Sequence, residues 1–476
     1  MSESDKENFN PAPSSGKVPT SKRIAYAAPA FALAVVGIPI YVYIPKFYSD
    51  VVGVHIGILG TIILVIRLFD AITDPAIGFI SDRTQSRFGR RRPYIAFGSV
   101  LLALAIYFLF NPLSGSPTFE TAWFGVWFFM IFLFWTLVAV PYESMGPELT
   151  FDYNERTAIF GIRDGALIAG TLLAASSPAI VTGVFGLDAT AAGEKAKFFW
   201  ISVLYSPMVV AFAWWCVLAI RERETPIQIS EQSFLRNLKQ FTANRPFIIL
   251  LISYTIAAFG SNLPATLILY YVEYVLQSKN ADIFLLIYFA TGILLLPGWV
   301  AIAGKIGKKP TWIMAMVINT GAFMGVFFLG PGDEMLYGIL VVLSGFGFGA
   351  TVAIPSSMQA DVIDYDELLT GKRQEGHYIG IWSISKKLAA ALGVGIALAM
   401  LGAVGYEPNV QQSEQVQFTL RLLYALVPSL CNLLALGIAL LYPINSQNHS
   451  QILQAIEARK NGREAVDPLL NKRSKK

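Results

Sequence analysis

Long apolar runs, broken by clusters of glycine, proline and charge, recur at about Ile24–Tyr43, His55–Ile80, Tyr94–Asn111, Thr121–Pro141, Thr157–Val181 and Phe198–Ile220. Six more follow a polar stretch, at about Pro246–Tyr274, Asp282–Gly304, Thr311–Leu329, Leu336–Ile354, His377–Gly402 and Thr419–Tyr442. A hydrocarbon core about 30 Å thick needs roughly 20 apolar residues per helical crossing, so each run can span a membrane as a helix. The pattern predicts an all-α polytopic membrane protein with twelve transmembrane helices. It divides the chain into a disordered tail (1–23), a six-helix bundle (24–220), an inter-bundle loop (221–245), a second six-helix bundle (246–442) and a basic C-terminal tail (443–476).

Of the 476 residues only 14% are charged and 54% are hydrophobic, against about a quarter charged in soluble domains. An ordinary soluble enzyme is excluded. The net charge of +4 gives no reason to expect nucleic acid as a partner; a lipid bilayer and a small-molecule substrate are expected, and a monomer. Charge placement says more. Lys and Arg concentrate in cytoplasmic segments, and 27 of the 36 fall in the tails and connections on one side of the predicted topology. Both termini are therefore expected in the cytoplasm, with the spans in a plasma membrane, a bacterial inner membrane. Met1–Ser21 has no apolar core followed by a small-residue cleavage site, so an uncleaved first helix is expected. Cys216 and Cys431 lie in apolar runs without CxxC or His-paired spacing, and neither a disulfide framework nor a zinc site is indicated.

The two halves echo each other. Gly78-Phe-Ile-Ser-Asp82 to Arg92-Pro93 after span two is matched by Gly298 to Lys309-Pro310 after span eight. Pro141-Tyr-Glu-Ser-Met145 to Asp152-Tyr153 after span four is matched by Pro355-Ser-Ser-Met358 to Asp364-Tyr365 after span ten. A six-plus-six duplication implies two pseudo-symmetric bundles that rock about a site near the midplane.

Charges inside a bilayer cost a few kcal/mol or more, so those retained face a cavity, a partner or an ion path. Span two carries Arg67, Asp70 and Asp74 at i, i+3 and i+7, which stack on one helical face. Paired carboxylates can share a proton or bind Na+ through hard oxygens, and Thr136 of span four can add a further oxygen. Simple neutralisation of Asp70 by Arg67 is the plainer alternative. Span eleven carries Lys386 and Lys387, about 100° apart, so one faces the central path; Lys387 is the choice, against a lysine that snorkels to the interface. Glu143, Arg163 and Asp164 lie near the Pro141 and Pro147 breaks; Arg163 can offer a fork of donors to sugar hydroxyls or a carboxylate, or pair with Asp164 or Glu148. Tyr142 and Trp382 offer flat surfaces for a sugar ring, although an aromatic belt explains any single ring. Asp82, Arg83, Arg87, Arg90, Arg91 and Arg92 sit in a short connection suited to a conformational latch. No phosphate-cradling loop accompanies them.

These motifs resemble the glycoside-pentoside-hexuronide:cation symporters of the major facilitator superfamily, a likeness that covers Ile24 to Tyr442. It is carried by Arg67-Leu-Phe-Asp70-Ala-Ile-Thr-Asp74-Pro-Ala-Ile-Gly78, by Ser81-Asp82-Arg-Thr to Gly89-Arg-Arg-Arg-Pro93, and by Ala360-Asp361-Val-Ile-Asp364-Tyr365-Asp-Glu367 to Gly371-Lys-Arg373. The resemblance implies the two-bundle fold and uptake of a sugar, glycoside or uronate coupled to Na+ or H+ by alternating access, with no cofactor. It puts Asp70, Asp74 and Thr136 at the cation, Lys387 beside them, and Arg163 at the helix-five arginine. Arg67, Asp361, Asp364 and Arg373 join Asp82, Arg83, Arg87 and Arg91 as the latch. At the sugar positions the chain departs: Ala34 and Ala139 stand where melibiose permease has its two sugar-binding aspartates, and Val352 where it has a tryptophan. Melibiose is therefore not the expected substrate, and Glu143, Arg163, Tyr26, Asn262 or Gln359 must supply specificity.

Symport of a saccharide is the leading expectation. A greasier path would suit a cation-coupled carrier of an amphiphile such as a lysolipid, and an uncoupled facilitator or channel is the other alternative. His55, His377 and His449 form no metal or nucleophile constellation and no Gly-x-Ser-x-Gly or His-Glu-x-x-His motif occurs, so an enzyme is not expected.

Overall fold

The computed structural model describes residues 18–84, 86–146, 149–150, 153–188, 190–220, 222, 244–371, 375–463 and 466–469, and among them the regular structure is entirely helical. In chain order the helices are α1 (Thr20–Val52), α2 (Ile56–Arg83), α3 (Arg92–Phe110), α4 (Pro117–Met145), α5 (Tyr153–Phe185) and α6 (Ala191–Ala219). The second half holds α7 (Arg245–Tyr274), α8 (Ala281–Leu294, continuing past a 40° bend as Leu296–Ile306), α9 (Lys308–Val326), α10 (Glu334–Thr370), α11 (Glu375–Ala403) and α12 (Glu414–Ala439). A polar helix, α13 (Ser446–Lys460), follows.

Ten of these are each long and apolar enough to cross a membrane, and the bent α8 makes an eleventh. The remaining span, α9, is diluted by Lys308, Lys309 and Asn319, and it completes the twelve-helix, all-α architecture. Polar side chains fix several starts by accepting the free amides of a first turn: Ser116 from Phe119, Thr190 from Gly193, Asn244 from Phe247 and Ser413 from Val416.

Two helices outrun their apolar patterns. α1 continues nine residues past Tyr43, through π-helical turns at Pro39–Tyr43 and Phe47–Val52. Proline lacks the amide of the regular ladder, and the wider turns rotate Tyr43, Lys46 and Asp50 towards the other bundle. α10 runs sixteen residues beyond Ile354, so Asp361 and Asp364 lie on a helix that protrudes past the apolar stretch.

Within the first half α1 packs on α5 and α6, α3 on α4 and α6, and α2 on α4; within the second, α7 packs on α12, α9 on α10 and α12, and α8 on α10. The halves meet where α2 lies along α11, α5 along α8, and α1 against α7. Small residues permit the first of these contacts. A Cβ on Gly60 would lie 2.8 Å from Leu398 Cβ, and one on Gly402 would lie 2.8 Å from the Gly57 backbone.

That contact lies at the end of the bundle away from the two tails, and a polar seal reinforces it. Asp50 of α1 accepts from Tyr274 Oη at 3.0 Å and Tyr406 Oη at 2.8 Å, and it pairs with Lys46. Lys46 also reaches Glu273 at 2.6 Å, Tyr43 donates to Asp282 at 2.9 Å, and Ser49 meets the Tyr270 hydroxyl at 3.0 Å. At the tail-side end, ion pairs among the described residues stay within one half, as in Arg23–Glu155, Asp82–Arg91 and Lys308–Asp361. The molecule is thus closed across its halves at the far end.

Candidate functional site

Asp70 lies near the middle of α2, and the helical period sets Asp74 one turn along on the same face. Both point at α4 and α11. Thr136 Oγ1 of α4 is 3.0 Å from Asp70 Oδ1 and 2.9 Å from Asp74 Oδ1. Lys387 Nζ of α11 crosses from the other half to within 2.9 Å of Asp70 Oδ2 and 2.5 Å of Asp74 Oδ2. Asp70 is buried, 4% exposed, while Asp74 and Lys387 are about a quarter exposed. Lys386, on the adjacent bearing, is exposed. Two carboxylates against one ammonium leave this cluster one negative charge in excess. A hydroxyl has one proton, so Thr136 can donate to only one of the two carboxylates at a time.

Arg67 sits on the same face but outside the cluster. Its guanidinium stacks 4.7 Å from the Tyr41 ring and 4.9 Å from the Phe132 ring, and Nη1 donates to Tyr41 Oη at 3.1 Å. It pairs with no carboxylate among the described residues. Neutralisation of Asp70 by Arg67 is therefore not what the structure shows, and Arg67 is far from the latch with which it was grouped.

The other substrate candidates divide. Arg163 of α5 pairs with its neighbour Asp164 at 2.7 Å and lies 4.6 Å from the Phe160 ring, with a quarter of its side chain exposed. Glu143 is exposed near the tail-side end of α4. Trp382 of α11 stacks on Tyr254 at 4.2 Å. Tyr142 does not line the path: it is 2% exposed, packs on Tyr26 and donates to the Tyr26 carbonyl at 2.7 Å. Tyr26 is wholly buried. Asn262 donates to Ala258 O on its own helix, and Gln359 reaches Tyr378 O at 3.5 Å.

The latch residues form two separate clusters. In the first half Asp82 accepts from Arg91 at 2.7 Å, Arg91 donates to Ser144 O, and the Glu222 carboxylate receives the amides of Arg90, Arg91 and Arg92 at the start of α3. Arg83 and Arg87 stack on Phe79 and Phe88 and join no ion pair among the described residues. In the second half Asp361 pairs with Lys308 at 2.6 Å, and His449 of α13 lies 3.0 Å from Asp364 and 3.5 Å from Asp361. Arg373 lies outside the described residues.

Sequence reasoning missed Glu222, His449 and the whole far-end seal. A sequence profile of the family described as MFS/sugar transport protein matches residues 25–446. The chain belongs to this family. The likeness to the glycoside-pentoside-hexuronide:cation symporters is borne out, and the protein is a transporter. It is 27% identical to the glucuronide carrier protein homolog of Escherichia coli, over 88% of this chain and 91% of that one. It is 26% identical to the isoprimeverose transporter of Lactiplantibacillus pentosus, over 86% of each. Among solved structures it shares its fold with a bacterial homolog of the human lysosomal transporter Spinster, inward-facing and unoccupied, with a TM-score of 0.63 at 11% identity, over 89% of this chain and 95% of that one.

Proposed function

We propose that this transporter moves a sugar, glycoside or uronate together with Na+ or H+ by alternating access across a plasma membrane, with both tails in the cytoplasm. One observation carries the coupling: Thr136 and Lys387 converge on Asp70 and Asp74 with one negative charge in excess. A single monovalent cation balances it, and an unbalanced charge at this depth costs a few kcal/mol. Lys387 belongs to one half and the carboxylates to the other, so a cation that joins the cluster weakens the hold of the carboxylates on the ammonium and loosens a bond between halves. Binding at the site is thereby linked to their relative movement.

The orientation rests on the 27 basic residues on the tail side, and it makes the closed far end the external one. The family description and the glucuronide and isoprimeverose relatives support a saccharide substrate.

Uptake of a saccharide panel into proteoliposomes, under Na+ and pH gradients imposed separately, tests the reading. Saturable saccharide accumulation driven by one of the gradients is expected. Downhill flux indifferent to both would leave an uncoupled facilitator, and uptake blocked by amphiphiles but by no saccharide would leave a lysolipid-type carrier.

A further inference from the structure

The first half keeps a carboxylate at a place where the second half has none. At the start of α3 the run Gly89-Arg-Arg-Arg-Pro93 turns into the helix, and Glu222, three residues past the end of α6, accepts the amides of Arg90, Arg91 and Arg92 at 2.7, 2.9 and 2.7 Å. The repeat of this run, Gly307-Lys-Lys-Pro310, turns into α9 in the same way, since Gly89 and Gly307 both take positive φ, 107° and 94°. Arg92 Nε donates to Val217 O near the end of α6, and Lys309 Nζ likewise donates to Leu440 O at the end of α12. Three residues past α12, however, stands Tyr442, a buried ring. The start of α9 has no side-chain cap among the described residues.

In place of the carboxylate there is a basic cleft. The α8–α9 turn, α10 and the first turn of α13 enclose it, and Lys305, Lys308, Lys309 and His449 line it. Asp361, its lining carboxylate, is engaged by Lys308 at 2.6 Å, and Asp364 behind it faces His449. Lys309 meets carbonyls, Leu440 O at 2.7 Å and Tyr442 O at 2.8 Å, while Lys305 is exposed, and neither forms an ion pair among the described residues. Two positive charges therefore stand without a carboxylate beside an uncapped helix start, whose free amides and dipole also favour an anion. Next to the lysines Ile306, Leu440 and Leu441 are exposed at the ends of α8 and α12, so apolar surface leads from the cleft towards the hydrocarbon. A soluble anion gains nothing from that surface, whereas a lipid buries its chains on it.

We propose that this cleft is a phosphate site that receives the headgroup of an anionic phospholipid from the tail-side leaflet, its phosphate standing where the Glu222 carboxylate stands in the first half. Lys305 and Lys309 supply the charge, the amides of Lys308 and Lys309 the direct donors, and the exposed apolar edge carries the acyl chains. The bound lipid joins α9 to the link between α12 and α13, as Glu222 joins α3 to the end of α6. The site lies apart from the coupling cluster and does not depend on which substrate is carried.

The test uses the full-length protein in detergent micelles, with thermal unfolding followed against the mole fraction of added lipid. Phosphatidylglycerol should raise the unfolding temperature saturably and slow hydrogen exchange at the starts of α9 and α13. Phosphatidylcholine, whose choline cancels the phosphate charge, should do neither. Lys305→Gln and Gln447→Glu change exposed side chains of the cleft wall and leave the packed interior untouched. Each should raise the half-saturating mole fraction of phosphatidylglycerol about fivefold, the equivalent of about 1 kcal/mol for one charge at a membrane surface. Glycerol phosphate, added without acyl chains, separates the two sources of phosphate. No response to it supports the lipid; a response equal to that of phosphatidylglycerol, and weakened by Lys305→Gln, overturns the lipid in favour of a soluble phosphate ester. Equal responses to phosphatidylglycerol and phosphatidylcholine overturn the site itself, as does a phosphatidylglycerol response that neither variant weakens.

Discussion

Lys387 of α11 lies 2.5 Å from Asp74 of α2, so the second half of the molecule places an ammonium on a carboxylate of the first. The same ammonium reaches Asp70 at 2.9 Å. The cluster is therefore both an ion site and a tie between the bundles, and breaking it should affect stability as well as transport.

Lys387→Met leaves two carboxylates in a confined site around one hydroxyl. Removing one partner of a mostly buried pair costs about 2–3 kcal/mol here, below the fully buried range because Lys387 is partly exposed. Thermal unfolding in detergent should show the loss, and Lys387→Met with Asp70→Asn should recover part of it. Equal stability of the single variant and the wild type would contradict the pairing.

At the far end, Asp50→Asn removes the charge that holds Lys46, Tyr274 and Tyr406 together across the halves. Hydrogen bonds to a charged group contribute about 1.5–3 kcal/mol, so the closed state should lose roughly tenfold or more in population. Ser49→Cys, buried against Tyr270, reports this through a membrane-impermeant maleimide added outside. Labelling should be about tenfold faster with Asp50→Asn; an unchanged rate would show that the seal does not hold the end shut.

Gly60→Val puts a branched side chain where a single Cβ would already lie 2.8 Å from Leu398. Overpacking costs about 1–3 kcal/mol, and here it acts only when α2 and α11 close. Uptake should fall below about a tenth of wild type while the protein still purifies folded. Gly161→Ala on α5, where a Cβ meets nothing within 4 Å, is the matched control.

The α13 helix should respond to pH. His449 has its pKa raised above 6.5, chiefly by its hydrogen bond to Asp364 and also by Asp361, against burial and the Lys308 charge, which lower it. A raised folded-state value means that its contribution is complete below about 6.5 and is lost as pH rises through the folded pKa. Lys460–Glu367 and the Arg459 bond to Leu368 O also dock the helix. Hydrogen exchange in α13 should therefore quicken as pH rises above about 6.5 and through the raised pKa of His449, beyond the intrinsic chemical trend, and His449→Gln should flatten the excess.

The membrane architecture was legible because apolar runs of the right length are hard to place anywhere else, and Asp70, Asp74 and Lys387 because charge inside such runs is costly. Helical spacing put Asp70 and Asp74 on one face, while their encounter with Thr136 and Lys387 was implied by the family resemblance alone. The far-end seal was not legible: Asp50 is 224 residues from Tyr274 and 356 from Tyr406, and each sits at a span end where polar side chains are ordinary. One-face spacing could not show whether Arg67 meets a carboxylate or, as it does, a pair of rings on adjacent helices. Glu222 and α13 were hidden for another reason: polar segments outside the apolar runs carry no periodic signal to rank them.

The coupling site is tested most directly by Asp74→Asn, reconstituted beside the wild type and supplied with the saccharide that the wild type accumulates. Gradient-driven accumulation and gradient-free exchange are measured on the same vesicles. The account predicts that the variant loses accumulation, its internal concentration settling at the external level, while exchange of bound substrate persists. Full accumulation by Asp74→Asn would contradict it.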